Sequence, residues 1–350
     1  MKPSPRSKAL QTKATRLAEL LPRTRLHPAV LAYAEASPAK EPWAVALSGG
    51  ADSLALLLLL WAYWPERRAR LHALHFDHRL RGRSSTADAK FCRDVCAKLG
   101  VKFHHDEWRV AGRAQLGEAG ARAARQAFFE LELKRFRGRL LWLGHQQDDV
   151  AETMFMRLAR GSGTAGLAAP RPVQVIASAR RRVHLRPLLN LKKAELAAAL
   201  REAGIIWRED ASNAGGAFLR NRMRQEVLPV WVAASGRDSL AGAALSRELL
   251  EEDDAALEAW LQELAPLGAD GALHLRKLGG KPRAVWRRAL HRWLLQQPQG
   301  GRNLSRQAFE ALLRDVMALK RTRHSLDARS FAVIARDRLT RVETPRKKSR

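Results

Sequence analysis

Between residues 43 and 143 the chain alternates short apolar runs with longer helix-like segments, and this alternation restricts the possible folds strongly. Four apolar runs predict buried strands, at Trp43–Leu47, Leu71–Phe76, Val101–His104 and Leu140–Leu143. Three segments between them predict helices, at Asp52–Trp64, Ser84–Leu99 and Glu118–Arg137. Repeated strand–helix alternation is typical of a parallel sheet covered by helices. We therefore predict an α/β fold with a doubly wound, Rossmann-like parallel sheet.

The pattern changes beyond residue 231, where long helical stretches replace the alternation. They lie at Asp238–Leu264, Arg283–Gln296 and Leu304–Leu319, before a strand-like run at Phe331–Ile334. A second, mainly helical C-terminal domain is therefore predicted. The predicted organisation is a basic N-terminal lead at 1–40, an α/β domain at 41–230, a helical domain at 231–322, and a short strand-like segment with a basic tail at 323–350.

The charge balance indicates a polyanionic partner. The chain of 350 residues has 63 Lys and Arg against 35 Asp and Glu, a net charge of +28. Such a surface attracts nucleic acid, and acidic membrane is the competing partner. The longest apolar run, Leu54–Trp64, is shorter than the ~18–20 residues that cross a bilayer, so no transmembrane helix and no membrane partner are expected.

The cysteines and the N-terminal lead predict a cytoplasmic protein. Cys92 and Cys96 lie four residues apart in a helix-like segment, which suits neither a disulfide framework nor a four-thiolate metal site. The residues before Glu19 are basic and lack the apolar segment of a secretory signal, and an organellar transit segment is the weaker alternative. The oligomeric state, a homodimer included, is left open by the sequence.

The strongest local motif follows the first predicted strand. Its residues are Ser48, Gly49, Gly50, Ala51, Asp52 and Ser53. Adjacent glycines permit a tight turn in which backbone N–H groups approach an anion, and the helix that follows directs its positive end to the same place. We interpret the motif as a phosphate-binding loop. The alternative is a strand-to-helix turn that happens to contain two glycines.

Two further polar clusters follow other predicted strands. His145, Asp148 and Asp149 come after the fourth strand, where they could hold Mg²⁺, orient a nucleophile or accept its proton; alone, the two aspartates would equally suit a helix cap. Asp77, between His75 and His78, ends the second strand and could equally cap the next turn. With Cys92 and Cys96 these histidines match no zinc pattern.

Taken together, the motifs resemble one family. In order they are Ser48-Gly-Gly-x-Asp-Ser53, His75-x-Asp-His-x-Leu-Arg81, Ala121-Arg-Ala-Ala-Arg125, Gly144-His-x-x-Asp-Asp-x-Ala-Glu-Thr153, Arg160-Gly-Ser-Gly-Thr-Ala-Gly-Leu167, Arg186-Pro-Leu-Leu189, Asp210-Ala-Ser-Asn213 and Arg220-Asn-x-x-Arg224. The first resembles the loop of the ATP pyrophosphatase (PP-loop) superfamily. The whole series, from Val45 to Pro229, closely resembles the bacterial tRNA(Ile)-lysidine synthetases. Where family members usually have Arg-Tyr, this chain has Arg125-Gln126.

The resemblance implies a fold like that of the adenine nucleotide alpha hydrolases and an ATP-dependent ligase. Such enzymes join the ε-amine of L-lysine to C2 of the wobble cytidine of CAU-anticodon tRNA(Ile), through an adenylated intermediate, with release of AMP and diphosphate. The product, lysidine, changes codon specificity from AUG to AUA. ATP would be the co-substrate, and Mg²⁺ would bind with ATP rather than to the protein alone. Region 41–230 would be catalytic, and 231–322 would bind tRNA.

The resemblance also implies roles for individual residues. The loop from Ser48 to Ser53 would bind ATP, with Asp52 organising the site. Asp149, supported by His145, would orient the lysine amine and accept or relay its proton, and Asp77 is a second candidate for the lysine pocket. Four arginines would contact tRNA or substrate: Arg122, Arg125, Arg220 and Arg224. In the second domain, a tRNA-binding surface would include Trp286, Arg287, Arg288, Arg292 and Trp293, although tryptophans at this helical spacing are more often core residues.

Two other functions remain open at this stage. One is another PP-loop tRNA-modifying enzyme, such as a tRNA thiolase; thiolases acting on cytidine typically have paired C-x-x-C motifs, whereas this chain has only Cys92 and Cys96. The other is a non-catalytic, basic RNA-binding protein that keeps a degenerate nucleotide-binding fold.

Overall fold

The computed structural model describes residues 4–77, 83–108, 117–176, 181–209, 219–297 and 304–344. The chain forms two compact units, Met1–Glu251 and Glu252–Arg350. The helices of the first unit are α1 (Pro5–Leu20), α2 (Pro28–Ala36), α3 (Ala51–Tyr63), α4 (Arg83–Leu99), α5 (Gly117–Arg135), α6 (Gln147–Leu158), α7 (Thr164–Leu167), α8 (Lys193–Glu202), α9 (Leu219–Arg222) and α10 (Leu228–Ser235). Its strands are β1 (Trp43–Ala46), β2 (Leu71–Asp77), β3 (Lys102–Glu107), β4 (Leu140–Trp142), β5 (Val173–Ile176) and β6 (Arg182–Leu185).

The six strands form one sheet in the order β3-β2-β1-β4-β6-β5. β1 pairs in parallel with both β2 and β4, whereas β5 pairs antiparallel with β6 at the edge. The predicted doubly wound parallel sheet is confirmed, with β5 and β6 added to the four predicted strands. The chain runs outward from β1 through β2 to β3 and then returns to β4 on the other side. The crevice between β1 and β4, at the carboxyl ends of the strands, is where such sheets bind ligands.

Helix α3 fixes the segment after β1 in the centre of this unit. All residues from Ser53 to Trp61 are buried, because α3 packs against β1, α1 and α8 at the same time. A fully buried leucine stabilises the fold by ~1.5–3 kcal/mol, and α3 has six of them, so its first turn has little freedom to move. Even so, no helix in the described ranges is both long and apolar enough to cross a membrane.

The N-terminal lead is part of the first unit. Leu17 of α1 and Val30 of α2 are fully buried in the same core as α3. Tyr63 donates a hydrogen bond to the carbonyl of Ala18 at 3.0 Å, which joins the C-terminal end of α3 to α1. These contacts hold the helix layer on one face of the parallel sheet.

Helix α11 (Ser239–Leu264) runs through the boundary between the two units, whereas the sequence pattern changes earlier, near residue 231. The second unit continues with α12 (Arg283–Gln296) and α13 (Arg306–Met317), and the predicted helical C-terminal region is confirmed. It also contains an antiparallel sheet in the order β7-β10-β9-β8, of which the sequence predicted only the central part of β9. These strands are β7 (Leu273–His274), β8 (Thr322–Ser325), β9 (Ser330–Ala335) and β10 (Arg338–Glu343).

Candidate functional site

The loop after β1 is a closed turn built by two serines and two glycines. Ser53 Oγ accepts a hydrogen bond from the Ser48 N–H at 3.1 Å and donates one to the Gly50 carbonyl at 3.1 Å. Gly49 has φ +90°, and a Cβ there would lie 3.1 Å from the sulfur of Cys92. Only glycine fits this position without strain. Gly50 is the N-cap of α3 and has no side chain, so no side-chain cap occupies the N–H groups of the first turn.

The loop after β4 lies directly against the first turn of α3. A Cβ at Gly144 would be only 3.0 Å from the backbone carbon and oxygen of Asp52, so no side chain fits there. The next residues form a capping box, in which Asp149 Oδ2 accepts from the Gln146 N–H at 3.0 Å and Gln146 Oε1 accepts from the Asp148 N–H at 2.6 Å. The two predicted motifs therefore meet in the crevice between β1 and β4.

Among the described carboxyl groups, Asp52 has a strongly raised pKa. Burial, and then the negative charge of Asp149, raise the pKa of Asp52 from 3.8 to about 7, although Lys193 and Arg224 act in the opposite direction. Its Oδ1 is buried and has no hydrogen-bond partner among the described residues. Asp52 thus exchanges a proton near neutral pH and offers an uncommitted oxygen to the crevice.

Asp149 belongs to a cluster of two carboxylates and two arginines, here called the site cluster: Asp149, Glu152, Arg220 and Arg224. Arg220 donates to Asp149 Oδ1 and to Glu152 Oε2, each at 2.7 Å. Arg224 donates to Glu152 through Nε at 2.6 Å and through Nη2 at 3.0 Å. Glu152 is fully buried, so its charge is compensated by these arginines. Arg224 lies in a π-helical turn, Met223–Val227, a distortion that is frequent at functional sites.

His145 lies in a strongly cationic environment. Burial, and then the charges of four arginines, hold the pKa of His145 well below its usual range, so the imidazole is neutral; the arginines are Arg186, Arg220, Arg125 and Arg122. Its Nδ1 has no hydrogen-bond partner among the described residues. Burial, and then the charge of Arg122, lower the pKa of Arg186 itself to about 10. A neutral imidazole surrounded by guanidinium groups suits an anionic substrate that needs a hydrogen-bond partner.

The structure brings together most of the residues that the sequence singled out. Ser48 to Ser53, His145, Asp149, Arg220 and Arg224 meet at the crevice, and Arg122 and Arg125 act electrostatically on His145. Asp77 is buried at the carboxyl end of β2, where its charge acts on His75. Asp148 Oδ2 accepts from the Lys193 N–H at 3.0 Å, at the start of α8. The segments 78–82 and 210–218 of the family motifs lie outside the described residues.

Three residues of the site were not predicted as site residues. Glu152 has a readable signal, since it lies three residues after Asp149 on the same helical face. Arg186 follows β6, a strand that the sequence reading missed. Arg208 gives no sequence signal: its N–H donates to the Gly49 carbonyl at 3.0 Å and its Nε to Asp88 at 2.7 Å. These contacts hold the loop from Ser48 to Ser53 in position.

The cysteines and the C-terminal tryptophans are structural. Cys92 and Cys96 are buried free thiols, and burial raises the pKa of both. Trp293 is fully buried and Trp286 is 5% exposed, so both tryptophans are core residues, as their helical spacing favours, and not part of a tRNA-binding surface. Within the described ranges, no group of three or more His, Cys, Asp or Glu residues is arranged to hold a metal ion.

Comparisons with known proteins identify the family of this chain. The family model of the PP-loop domain, ATP_bind_3, matches residues 23–231, so the first unit contains a PP-loop domain. A tRNA(Ile)-lysidine synthase of Gloeobacter violaceus is 36% identical over 292 residues, which are 83% of this chain and 87% of that protein. One of Hyphomonas neptunium is 36% identical, over 77% of this chain and 74% of its own length. The chain belongs to the tRNA(Ile)-lysidine synthase family.

Other relatives are longer than this chain. The tRNA(Ile)-lysidine synthase of Solibacter usitatus is 39% identical over 65% of this chain but only 48% of its own length. The chain thus spans about half the length of several curated relatives that it matches. Among solved structures, a U34-tRNA thiolase of Methanococcus maripaludis with a [4Fe-4S] cluster has a TM-score of 0.50, with 17% identity over 69% of this chain and 79% of that one. That likeness concerns the fold alone.

Proposed function

We propose that this protein is an ATP-dependent ligase that joins L-lysine to C2 of the wobble cytidine of CAU-anticodon tRNA(Ile). The product would be lysidine, which changes the codon read from AUG to AUA. One observation carries the proposal: the phosphate-binding loop, Asp52, His145 and the site cluster converge at the crevice between β1 and β4 of a protein of this family. A cytoplasmic location follows from the substrate.

In the first step the C2 oxygen of cytidine would attack the α-phosphorus of ATP. A P–O bond forms to that oxygen, the α–β phosphoanhydride bond breaks, and diphosphate leaves. The N–H groups around Gly49 and Gly50 and the positive end of α3 would stabilise the negative charge of the leaving diphosphate. This step converts an oxygen that cannot leave by itself into part of a good leaving group, AMP.

In the second step the ε-amine of lysine would attack C2, and AMP would leave with the former C2 oxygen. The amine must first lose a proton, since its ordinary pKa is ~10.4. Asp149 would orient the ammonium through its negative charge. Asp149 would also accept or relay the proton, and His145 would supply a neutral hydrogen-bonding group. Asp77 is a second candidate for the lysine pocket.

The residues present fit a Mg²⁺ ion that binds with ATP. Asp52 offers a buried carboxyl oxygen without a partner among the described residues, and three phosphate groups would supply further oxygens. Asp52 is the residue that would hold the ion. When bound, Mg²⁺ would neutralise phosphate charge and polarise the phosphoryl group.

The arginines would position the RNA. Arg122 is exposed near His145, and Arg125, Arg220 and Arg224 lie close to the same crevice, so they can contact phosphate oxygens of the anticodon loop or of ATP. The flipped cytosine would then be read inside the crevice. Region 231–322 is proposed as a tRNA-binding accessory domain.

A thiolase reaction is disfavoured by the cysteines. A cluster ligated by protein thiolates needs at least three of them, and the whole sequence contains two. Both are buried, and Cys92 lies behind Gly49. A non-catalytic RNA-binding role is disfavoured by the site cluster. Its buried, mutually compensated charges add little net stability to the fold, and a protein that only binds RNA on its surface would not need them.

The test is mass spectrometry of tRNA nucleosides after incubation of the full chain with ATP, Mg²⁺, L-lysine and CAU-anticodon tRNA(Ile) transcripts. Lysidine is expected with the CAU anticodon, and none with a transcript whose wobble base is uridine. Labelled lysine should appear in the tRNA in a one-to-one ratio to the AMP released. Sulfur incorporation from labelled cysteine without lysidine would replace this proposal by a thiolase.

A further inference from the structure

Near the amino-terminal ends of β2 and β3, opposite the candidate site, lie two buried polar side chains and one half-buried polar side chain that the proposed reaction does not use. His104 of β3 lies between Glu132 of α5 and His72 of β2. Its Nδ1 is 2.6 Å from Glu132 Oε2, and its Nε2 is 2.9 Å from His72 Nδ1. Glu132 is 7% exposed and His72 is 5% exposed. His104 is thus in close contact with the buried Glu132 carboxylate, and its ring shares a hydrogen bond with the ring of His72.

His72 lines a cavity of about 380 Å³, together with Pro42, Ala69, Arg70, Lys102 and Phe136. His72 and Lys102 are paired in the parallel β2–β3 ladder, so their side chains stand next to each other on one face. The ring of Phe136 is stacked on the His72 ring, with centroids 4.0 Å apart. Arg70 Nη1 donates to the Lys40 carbonyl at 3.0 Å, which anchors its guanidinium group at the rim.

The lining residues define the ligand chemistry. The lining includes two cations, Arg70 and Lys102, and no carboxylate. Burial, and then the charges of His104 and Lys102, lower the pKa of His72 to about 4, so its ring is neutral at physiological pH. Since His104 occupies Nδ1, the polar ring atom that His72 can offer is Nε2. An anionic group with a neighbouring hydroxyl matches this set of partners.

We propose that this cavity binds a ribose phosphate, with the phosphate at Arg70 and Lys102 and the 2′-hydroxyl at His72 Nε2. A hydroxyl both donates and accepts, so it complements Nε2 in either tautomer. The 2′-hydroxyl is also the group that distinguishes RNA from DNA. A volume near 380 Å³ is within the range of pockets that hold small ligands, and the net charge of +28 favours a polyanion. The cavity lies outside the candidate site, so this inference is independent of the proposed reaction.

The test uses the full chain and fluorescence polarisation with 5′-labelled hexauridylate and its deoxy counterpart. The double variant R70Q/K102Q should bind hexauridylate at least fivefold more weakly, with a salt dependence lower by ~1.4 in log–log slope, because two phosphate contacts are lost. The matched control, K90Q/K134Q, removes two exposed charges from α4 and α5 outside the cavity lining and should change binding less than twofold.

The ribose contact has its own test. H72F keeps a ring against Phe136 and removes Nε2, so the preference for ribo- over deoxyhexamer should disappear while phosphate binding remains. If H72F does not fold, 2′-O-methyl hexauridylate on the unmodified protein tests the same contact and should bind like the deoxy hexamer.

The source of the ribose phosphate is decided by competition. Displacement of the hexamer by uridine 5′-monophosphate would identify a free nucleotide, and resistance to it would identify an RNA strand. Equal binding by the unmodified protein and R70Q/K102Q would overturn the proposal, as would equal affinity of the unmodified protein for the ribo- and deoxyhexamers.

Discussion

The site cluster has a counterpart in the second compact unit, which likewise joins two carboxylates to two arginines. The site cluster joins Asp149 and Glu152 of α6 to Arg220 and Arg224. The second, here called the C-terminal cluster, joins two acids of α11 to two arginines of α12: Asp254, Glu258, Arg288 and Arg292. Both clusters use helical neighbours three or four residues apart, so their local chemistry is nearly the same.

The clusters differ in their surroundings. Near Asp149 are Asp52, with a pKa raised to about 7, and His145, with a pKa well below its usual range. The C-terminal cluster joins α11 to α12, and both helices contribute residues to the core around Trp293 in the second unit. Paired charges therefore mark a candidate site where they lie beside groups with strongly shifted pKa values at the end of a parallel strand, as the site cluster does.

The largest expected effect is a loss of lysidine formation in a variant of the site cluster, without a matching loss in the corresponding variant of the C-terminal cluster. D149N keeps an oxygen that can accept from the Gln146 N–H but removes the charge that would orient the lysine ammonium. Lysidine formation should fall by ~10²–10⁴-fold, measured as labelled lysine joined to tRNA. Because Asp149 is also paired with Arg220 at 2.7 Å, the melting temperature should fall as well, so turnover is measured on the folded fraction.

D254N is the matched control. It removes the corresponding charge from the C-terminal cluster, where Asp254 is 5% exposed and paired with Arg288. Its melting temperature should fall, and the turnover of the folded fraction should remain within about twofold. Normal turnover by D149N would remove Asp149 from the mechanism.

The next effect concerns stability. Glu152 is fully buried between Arg220 and Arg224, so E152Q buries a neutral amide and leaves two half-buried positive charges partly uncompensated. The free energy of unfolding in urea should fall by ~3 kcal/mol. The control is E130Q, since Glu130 pairs with Arg182 at 3.0 Å on the surface and should contribute less than ~0.5 kcal/mol. Equal losses of unfolding free energy in E152Q and E130Q would show that the burial of Glu152 does not increase its contribution to stability.

A smaller, pH-dependent effect is expected at Asp52. In the unfolded chain its carboxyl ionises near pH 3.8, and in the folded protein near pH 7. Between pH 3.8 and pH 7 the Asp52 carboxyl is protonated in the folded protein and ionised in the unfolded chain. The stabilisation that the bound proton gives to the folded state therefore falls as the pH rises, and it is lost once the pH passes 7. D52N removes the cost of a buried charge, and above pH 7.5 it should be more stable than the unmodified protein by ~2 kcal/mol, after allowance for partial exposure.

Denaturant unfolding at several pH values checks this expectation. The stability difference between D52N and the unmodified protein should shrink steadily between pH 7.5 and pH 4. A constant difference would show that the Asp52 carboxyl does not change protonation in this range.

The sequence predicted the sheet and much of the site because both depend on local patterns. The strands at Trp43 and Leu140 are continuous apolar runs, and the loop at Gly49 has a motif that follows from its backbone geometry. β5 and β6 were missed because Gln174 and His184 interrupt short runs of three or four residues. Arg208 was missed because its contact with Gly49 joins positions far apart in sequence, which no periodicity reports.

The smallest expected effect tests whether the C-terminal cluster contributes to tRNA binding. The sequence reading placed Arg292 at a tRNA surface, but its guanidinium is paired with Glu258. R292Q should change tRNA affinity less than twofold and stability by less than ~0.5 kcal/mol. R122Q removes an exposed arginine beside His145, and should weaken tRNA binding about fivefold and lower the salt slope by about one. If R292Q and R122Q lost similar amounts of tRNA affinity, the C-terminal cluster would also contact the RNA. Pairing of Arg292 with Glu258 would then not prevent this arginine from binding tRNA.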